Sequence, residues 1–163
     1  MIPFRLLFAA LVSAAIHELG HMTAFRLLRL EIYSIDIGIH GAKIHGQPLS
    51  EKQEILCAAA GPLCGLLLVP FFRWIPAVSL CAAVHTFYNL LPVFPADGGR
   101  ILRSGAKLLL KEKLADSVST AIEIISLSAI LALCVYGTIF LRLGIIPILF
   151  ALSLIVVSAR QNG

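Results

Sequence analysis

The sequence predicts an all-α membrane protein, with about five transmembrane helices and a small cytoplasmic β-hairpin between the first and the second. Three observations carry this. First, 59% of the 163 residues are hydrophobic and only 13% are charged, with a mean hydropathy of +0.94. A soluble domain carries about 25% charged residues, and a chain of this size could not hide so much apolar surface from water. Second, the apolar residues gather in five runs near the length a spanning helix needs. Third, the cationic residues lie in the gaps between runs and favour alternate gaps.

The first run extends from Ile2 to about Leu28 and contains His17-Glu18-Leu19-Gly20-His21. Arg5 ahead of an apolar stretch has the look of a leader, but the stretch is too long, and cleavage would discard the His/Glu cluster. A retained membrane segment is expected, opening directly on that helix. From Glu31 to Gln47 the chain turns polar, and Ile32, Ser34 and Asp36 alternate with Tyr33, Ile35, Ile37 and Ile39. That period of two, with Gly41 as a turn residue, predicts two short strands. Open strand edges cannot face lipid, so the hairpin belongs on protein or in water.

The second run spans about Ile55 to Phe72 and the third about Ala77 to Leu91, just after Pro76, which a helix start tolerates. Pro92 and Pro95 should break the third helix. Asp97 is placed to cap a short helix reaching about Lys111. The fourth run, about Val118 to Leu141, fits a full span best, and the fifth runs from about Ile145 to Ala159. One membrane-embedded domain covering 1–163 is expected, its core at about 10–105 and its C-terminal helices at about 118–159. The chain shows no internal repeat.

With an outer N-terminus and five crossings, only Arg5, Arg73 and Arg142 of the thirteen Lys and Arg face outward. The positive-inside rule then puts the hairpin and the Asp97 segment on the cytoplasmic side of a multi-pass protein, as in a bacterial cell membrane. The net charge of +4 is therefore topological, and no nucleic acid is expected as partner. Cys57, Cys64, Cys81 and Cys134 sit in apolar runs without a CxxC pair and read as small buried hydrophobes.

His17 and His21 frame an HExxH sequence. Residues four apart share a helix face, so both imidazoles can reach one Zn2+ ion, with Glu18 beside them to take a proton from water. Ionisable groups at membrane depth are costly and call for a compensating partner such as a metal. A catalytic zinc takes a third protein ligand, often a carboxylate. Asp97 is the best candidate, because Gly98 and Gly99 permit close backbone approach; taken without the HExxH sequence it would read as a helix cap or turn residue.

The pair HELGH at 17–21 and NLLPVFPADGG at 89–99 resembles the site-2 protease family of intramembrane zinc metalloproteases, over roughly residues 10 to 105. Ala60-Gly61-Pro62 resembles that family's central helix. The resemblance implies a three-helix core, zinc on His17, His21 and Asp97, Glu18 as general base, and Asn89 as a catalytic group near the scissile bond, able to donate to the oxyanion. It implies a membrane-tethered protein substrate. The compact form resembles the sporulation branch, which processes pro-sigma factors; an anti-sigma factor is the other substrate of this kind. Ala96 replaces the leucine usual before the motif aspartate, and nothing resembles a PDZ or CBS domain. A homo-oligomer or a regulatory membrane partner stays open.

His85, one turn before Asn89, reads as a second group near the site or, more simply, as a histidine bonded to a carbonyl. His40 and His45 read as surface histidines, and Glu123 as an interfacial residue solvated at the bilayer edge, with a gate or a partner contact as the other reading. Two rivals to the enzyme are a catalytically silent binding partner of the same fold, which would not need Glu18, and a metal transporter. The transporter would need polar residues through the fourth and fifth runs, which are almost bare of them.

Overall fold

The computed structural model describes residues 2–38 and 41–162, with backbone alone at 2–3, 32, 35–38, 41–45 and 161–162. It divides into two compact units, 1–90 and 91–163.

The first unit opens with α1 (Ile2–Leu27). No glycine ends it. Instead Arg29 adopts φ 54°, and the Leu30 N–H reaches back to the Phe25 carbonyl at 3.0 Å, the long backbone bond of a Schellman stop. Leu30 then packs with Phe25 and Cys57, and that burial offsets the strain of a left-handed arginine.

Strands β1 (Ile32–Gly38) and β2 (Gly41–Gly46) pair antiparallel, with Ile35 opposite Ile44 and a register irregularity between Ile32 and Ser34. Gly41 closes the ladder opposite Gly38, so it is a strand residue and not the turn. The connection at 39–40, including His40, lies outside the described residues, as does the side chain of His45.

Helix α2 (Glu51–Leu66) starts from a reciprocal cap. The Gln53 N–H donates to Ser50 Oγ at 3.4 Å, and the Ser50 N–H to Gln53 Oε1 at 3.0 Å. Each satisfies a donor that a helix start leaves open. Glu51 and Glu54 place negative charge where the helix dipole favours it. A 3₁₀ turn (Val69–Arg73) continues the apolar segment. The Ser79 hydroxyl donates to the Leu68 carbonyl at 2.8 Å, satisfying an acceptor at that loosened end. Helix α3 (Pro76–Asn89) begins on the proline. Helices α1, α2 and α3 pack on one another. They approach through small residues, the membrane mode of helix packing: a Cβ on Gly20 would press into the Ala60 carbonyl, and one on Gly65 into Thr86 Oγ1.

The second unit runs from an irregular segment with a cis Phe94–Pro95 bond into α4 (Asp97–Leu109), α5 (Glu112–Ile139) and α6 (Ile146–Asn162). Helix α5 packs against both α4 and α6.

Among the described residues, three segments are long and apolar enough to cross a bilayer: Phe4–Leu27, Glu51–Arg73 and Glu112–Ile139. Their outward faces carry residues such as Phe4, Leu7, Leu67 and Leu133 exposed. Water would penalise such surfaces and acyl chains would not, which is the signature of a membrane protein. About five transmembrane helices were expected, with the third and fifth runs short enough to dip without fully crossing. Helix α3, with 14 residues, spans only about 21 Å against a hydrocarbon core of about 30 Å, and α6 is also shorter than the three.

Candidate metal centre

His17 and His21 are buried on one face of α1, as the four-residue spacing requires. Their Nε2 atoms lie 3.1 Å apart and their rings meet edge to face. His21 Nδ1 sits 2.8 Å from the Cys57 carbonyl of α2. A carbonyl only accepts, so Nδ1 carries the proton and His21 Nε2 presents a lone pair. Nitrogens held about 2.0–2.1 Å from a tetrahedral zinc stand about 3.4 Å apart. The 3.1 Å separation matches two donors converging on one such ion.

Gly61 makes the room. A Cβ there would meet His21 Nε2, would stand 2.6 Å from His21 Cε1, and would lie 2.8 Å from His17 Nε2. Both Nε2 atoms thus rest over a backbone that only glycine leaves open. The buried donor pair, the fixed tautomer and the glycine floor all fit zinc.

Glu18 follows His17 on the same helix and is half-buried. His85 of α3 presses its ring edge-on against His17, the centroids 4.7 Å apart. The sequence favoured a plain carbonyl-bonded histidine there; the structure gives it a neighbour in the site. Asn89, the last residue of α3, donates from Nδ2 to the His85 carbonyl at 3.0 Å. An amide nitrogen carries two hydrogens, so one remains for another acceptor.

In the second unit Asp97 is buried and is the first residue of α4, not its cap. Ala96 holds the extended cap position, with no side chain to offer. The Asp97 carboxylate therefore lies inside the first turn, where the helix dipole favours negative charge. Arg100 Nη1 donates to its Oδ1 at 3.2 Å. A Cβ on Gly99 would strike the backbone of Val93 and Phe94, so the preceding segment packs tightly on this turn.

Glu123 departs from expectation. It is buried on α5 and accepts hydrogen bonds from the Phe94 N–H, Arg103 and Ser158. Its position in the fourth run suggested solvation at the bilayer edge, and no local pattern announces partners so distant in the chain.

A helical membrane unit with two buried imidazoles one turn apart, their Nε2 atoms 3.1 Å from each other and a glutamate next to the first in sequence, has donor atoms suited to a metal ion. No family model matches the chain. A zinc metalloprotease of Methanocaldococcus jannaschii is 32% identical over 91% of this chain and 46% of its own length. A Synechocystis protein named provisionally as a zinc metalloprotease is 29% identical over 64% of this chain and 31% of its own length. The chain thus spans less than half the length of these curated relatives. Among solved structures, the site-2 protease from Methanocaldococcus jannaschii superposes with a TM-score of 0.62 and 28% identity, covering 96% of this chain and 76% of that one.

Proposed function

We propose that the chain is an intramembrane zinc endopeptidase of the site-2 protease family, cutting membrane-tethered proteins within or near a transmembrane segment. The observation that carries this is the His17–His21 pair, with Nε2 atoms 3.1 Å apart over Gly61. The names of the relatives and the solved-structure likeness point the same way.

His17, His21 and Asp97 together have the donor atoms to hold a metal ion, and all three are buried. Two imidazoles and a carboxylate are a ligand set catalytic zinc commonly takes. When bound, zinc lowers the pKa of a water toward about 7 and polarises a carbonyl oxygen. Glu18 removes the water's proton as it attacks the peptide carbon, and returns it to the leaving amine. Asn89 donates its remaining Nδ2 hydrogen to the carbonyl oxygen as charge builds there.

A helical substrate must locally unwind before its peptide bond can be attacked, because an intact helix buries each bond in its own ladder. The β1–β2 pair offers strand edges on which an extended segment could be held. Proline substitutions along such an edge should slow cleavage and leave zinc in place. The Lys/Arg bias supports an active site toward the cytoplasm of a bacterial cell membrane, and pro-sigma factors are the first substrates to try.

The test compares wild type with Glu18→Gln, co-expressed with tagged single-span proteins. Cleavage should fall by roughly 100- to 10,000-fold with zinc content unchanged. A Gln variant that cuts as well as wild type sinks the mechanism. Wild type that cuts no candidate, yet still captures one, supports the silent binding partner instead.

A further inference from the structure

Among the described residues, Asp97 and Glu123 are the two buried carboxylates. A buried carboxylate in a membrane helix is costly unless donors surround it. Glu123 is supplied from three separate segments. Oε1 accepts from the Phe94 N–H at 3.0 Å and from Ser158 Oγ at 2.6 Å; Oε2 accepts from Arg103 Nη2 at 3.1 Å. The Arg103 guanidinium also lies 4.3 Å above the Phe94 ring.

Two of these donors flank Asp97 in sequence. Phe94 precedes it in the irregular segment, and Arg103 follows it on α4. Between them Gly99 brings the first turn of α4 onto the Val93–Phe94 backbone, where a Cβ would stand 2.5 Å from the Val93 carbonyl carbon and 2.6 Å from its oxygen. The irregular segment and the first turn of α4 therefore pack as one piece, and Glu123 holds it through Phe94 on one side and through Arg103, in the next turn of α4, on the other. A backbone N–H not held in a ladder is a weak point in an irregular segment; Glu123 occupies the one at Phe94.

We infer that Glu123 is a positioning residue for the Asp97 carboxylate, holding from α5 the platform on which that ligand stands. Through Ser158 the grip reaches α6, so the C-terminal helix also takes part in setting the position of Asp97. The inference rests on Asp97 being a zinc ligand, and the experiment separates the two ideas.

Zinc affinity of purified Glu123→Ala, Glu123→Gln and Asp97→Asn is measured by competition with a chromogenic chelator. Thermal unfolding is followed in parallel, as are kcat and KM on a single-span substrate. Glu123→Ala should bind zinc roughly 10- to 100-fold more weakly, the usual effect of losing a group that orients a ligand. Its KM should stay within about twofold, because substrate contacts are untouched. Glu123→Gln keeps an acceptor for the Phe94 N–H and should recover most of the affinity. A folded Ala variant with wild-type zinc affinity overturns the inference. So does failure of both Glu123 variants to fold, which would make the residue a support of the fold at large. If Asp97→Asn itself keeps full zinc affinity, the ligand assignment fails first. If Asp97→Asn loses zinc and Glu123→Ala does not, only the positioning role fails.

Discussion

Adding one methyl group at Gly61 should damage the metal centre more than any comparable change elsewhere in α2. The new Cβ would stand 2.6 Å from His21 Cε1 and 2.8 Å from His17 Nε2, where ordinary contact begins at 3.4 Å. His17 must retreat by about 0.6 Å and His21 by at least about 0.8 Å, an overpacking that typically costs about 1–3 kcal/mol. His21 cannot simply swing aside, because its Nδ1 is tied to the Cys57 carbonyl one turn earlier on the same helix. His17 is backed by the His85 ring. Misplacement by about 1 Å can cost on the order of 100-fold where geometry matters, so Gly61→Ala should weaken zinc binding by roughly tenfold or more. Chelator competition reads the affinity, and thermal unfolding reads the packing cost. Gly105→Ala in α4 is the matched comparison, since its Cβ meets nothing within 4 Å. There the same substitution should stabilise by up to about 1 kcal/mol, because alanine suits a helix interior better than glycine. A Gly61→Ala protein with wild-type zinc affinity and melting temperature would refute the reasoning.

Three further outcomes follow from the same geometry. Gly99→Ala, whose Cβ would strike the Val93 and Phe94 backbone, should lose about 1–3 kcal/mol of stability and bind zinc more weakly, read by unfolding and chelator competition. Ser50→Ala removes the α2 cap and should cost about 0.5–2 kcal/mol, with zinc affinity unchanged in the same two assays. Stripping zinc with a chelator should abolish cleavage and lower the melting temperature; zinc at 100 times its dissociation constant contributes about 2.7 kcal/mol, and re-adding it should restore both.

The parts of the fold visible in the sequence are those set by neighbours along the chain. HExxH is legible because a helix brings residues four apart onto one face whatever surrounds it. The apolar runs match α1, α3, α5 and α6 to within a few residues at most ends, because lipid imposes a solvent-wide rule on every exposed position. Where two local signals compete, the reading slips. Hydropathy continues unbroken past Leu66, so the change from α2 to a 3₁₀ turn before Arg73 is hidden inside one run. Asp97 has the residue type of a cap, yet Ala96 takes that position and Asp97 enters the helix. Contacts across the chain leave no such trace. Glu123 finds Phe94, Arg103 and Ser158 at separations of 29, 20 and 35 residues, and a single sequence holds no periodicity linking them. Glu123 therefore looked like a solvated residue, and His85 more like a carbonyl-bonded histidine than a neighbour of the site.

Glycine links helix packing to the proposed zinc site in this protein. Helices in lipid gain nothing from hiding apolar faces from a medium that is itself apolar, so they associate through close approach and van der Waals contact. Gly20 lets α1 rest against the Ala60 carbonyl, and Gly61, the next residue of α2, leaves the space that the two imidazoles fill. The separation that packs α1 on α2 is thus the one that brings His21 Nδ1 to the Cys57 carbonyl and fixes the lone pair on Nε2. A change that spreads this crossing must lengthen that hydrogen bond and release the His21 tautomer, even if neither histidine is altered. Metal affinity and α1–α2 packing should therefore fall together in variants at the crossing, whereas loss of the Ser50 cap, at the far end of α2, should lower stability alone.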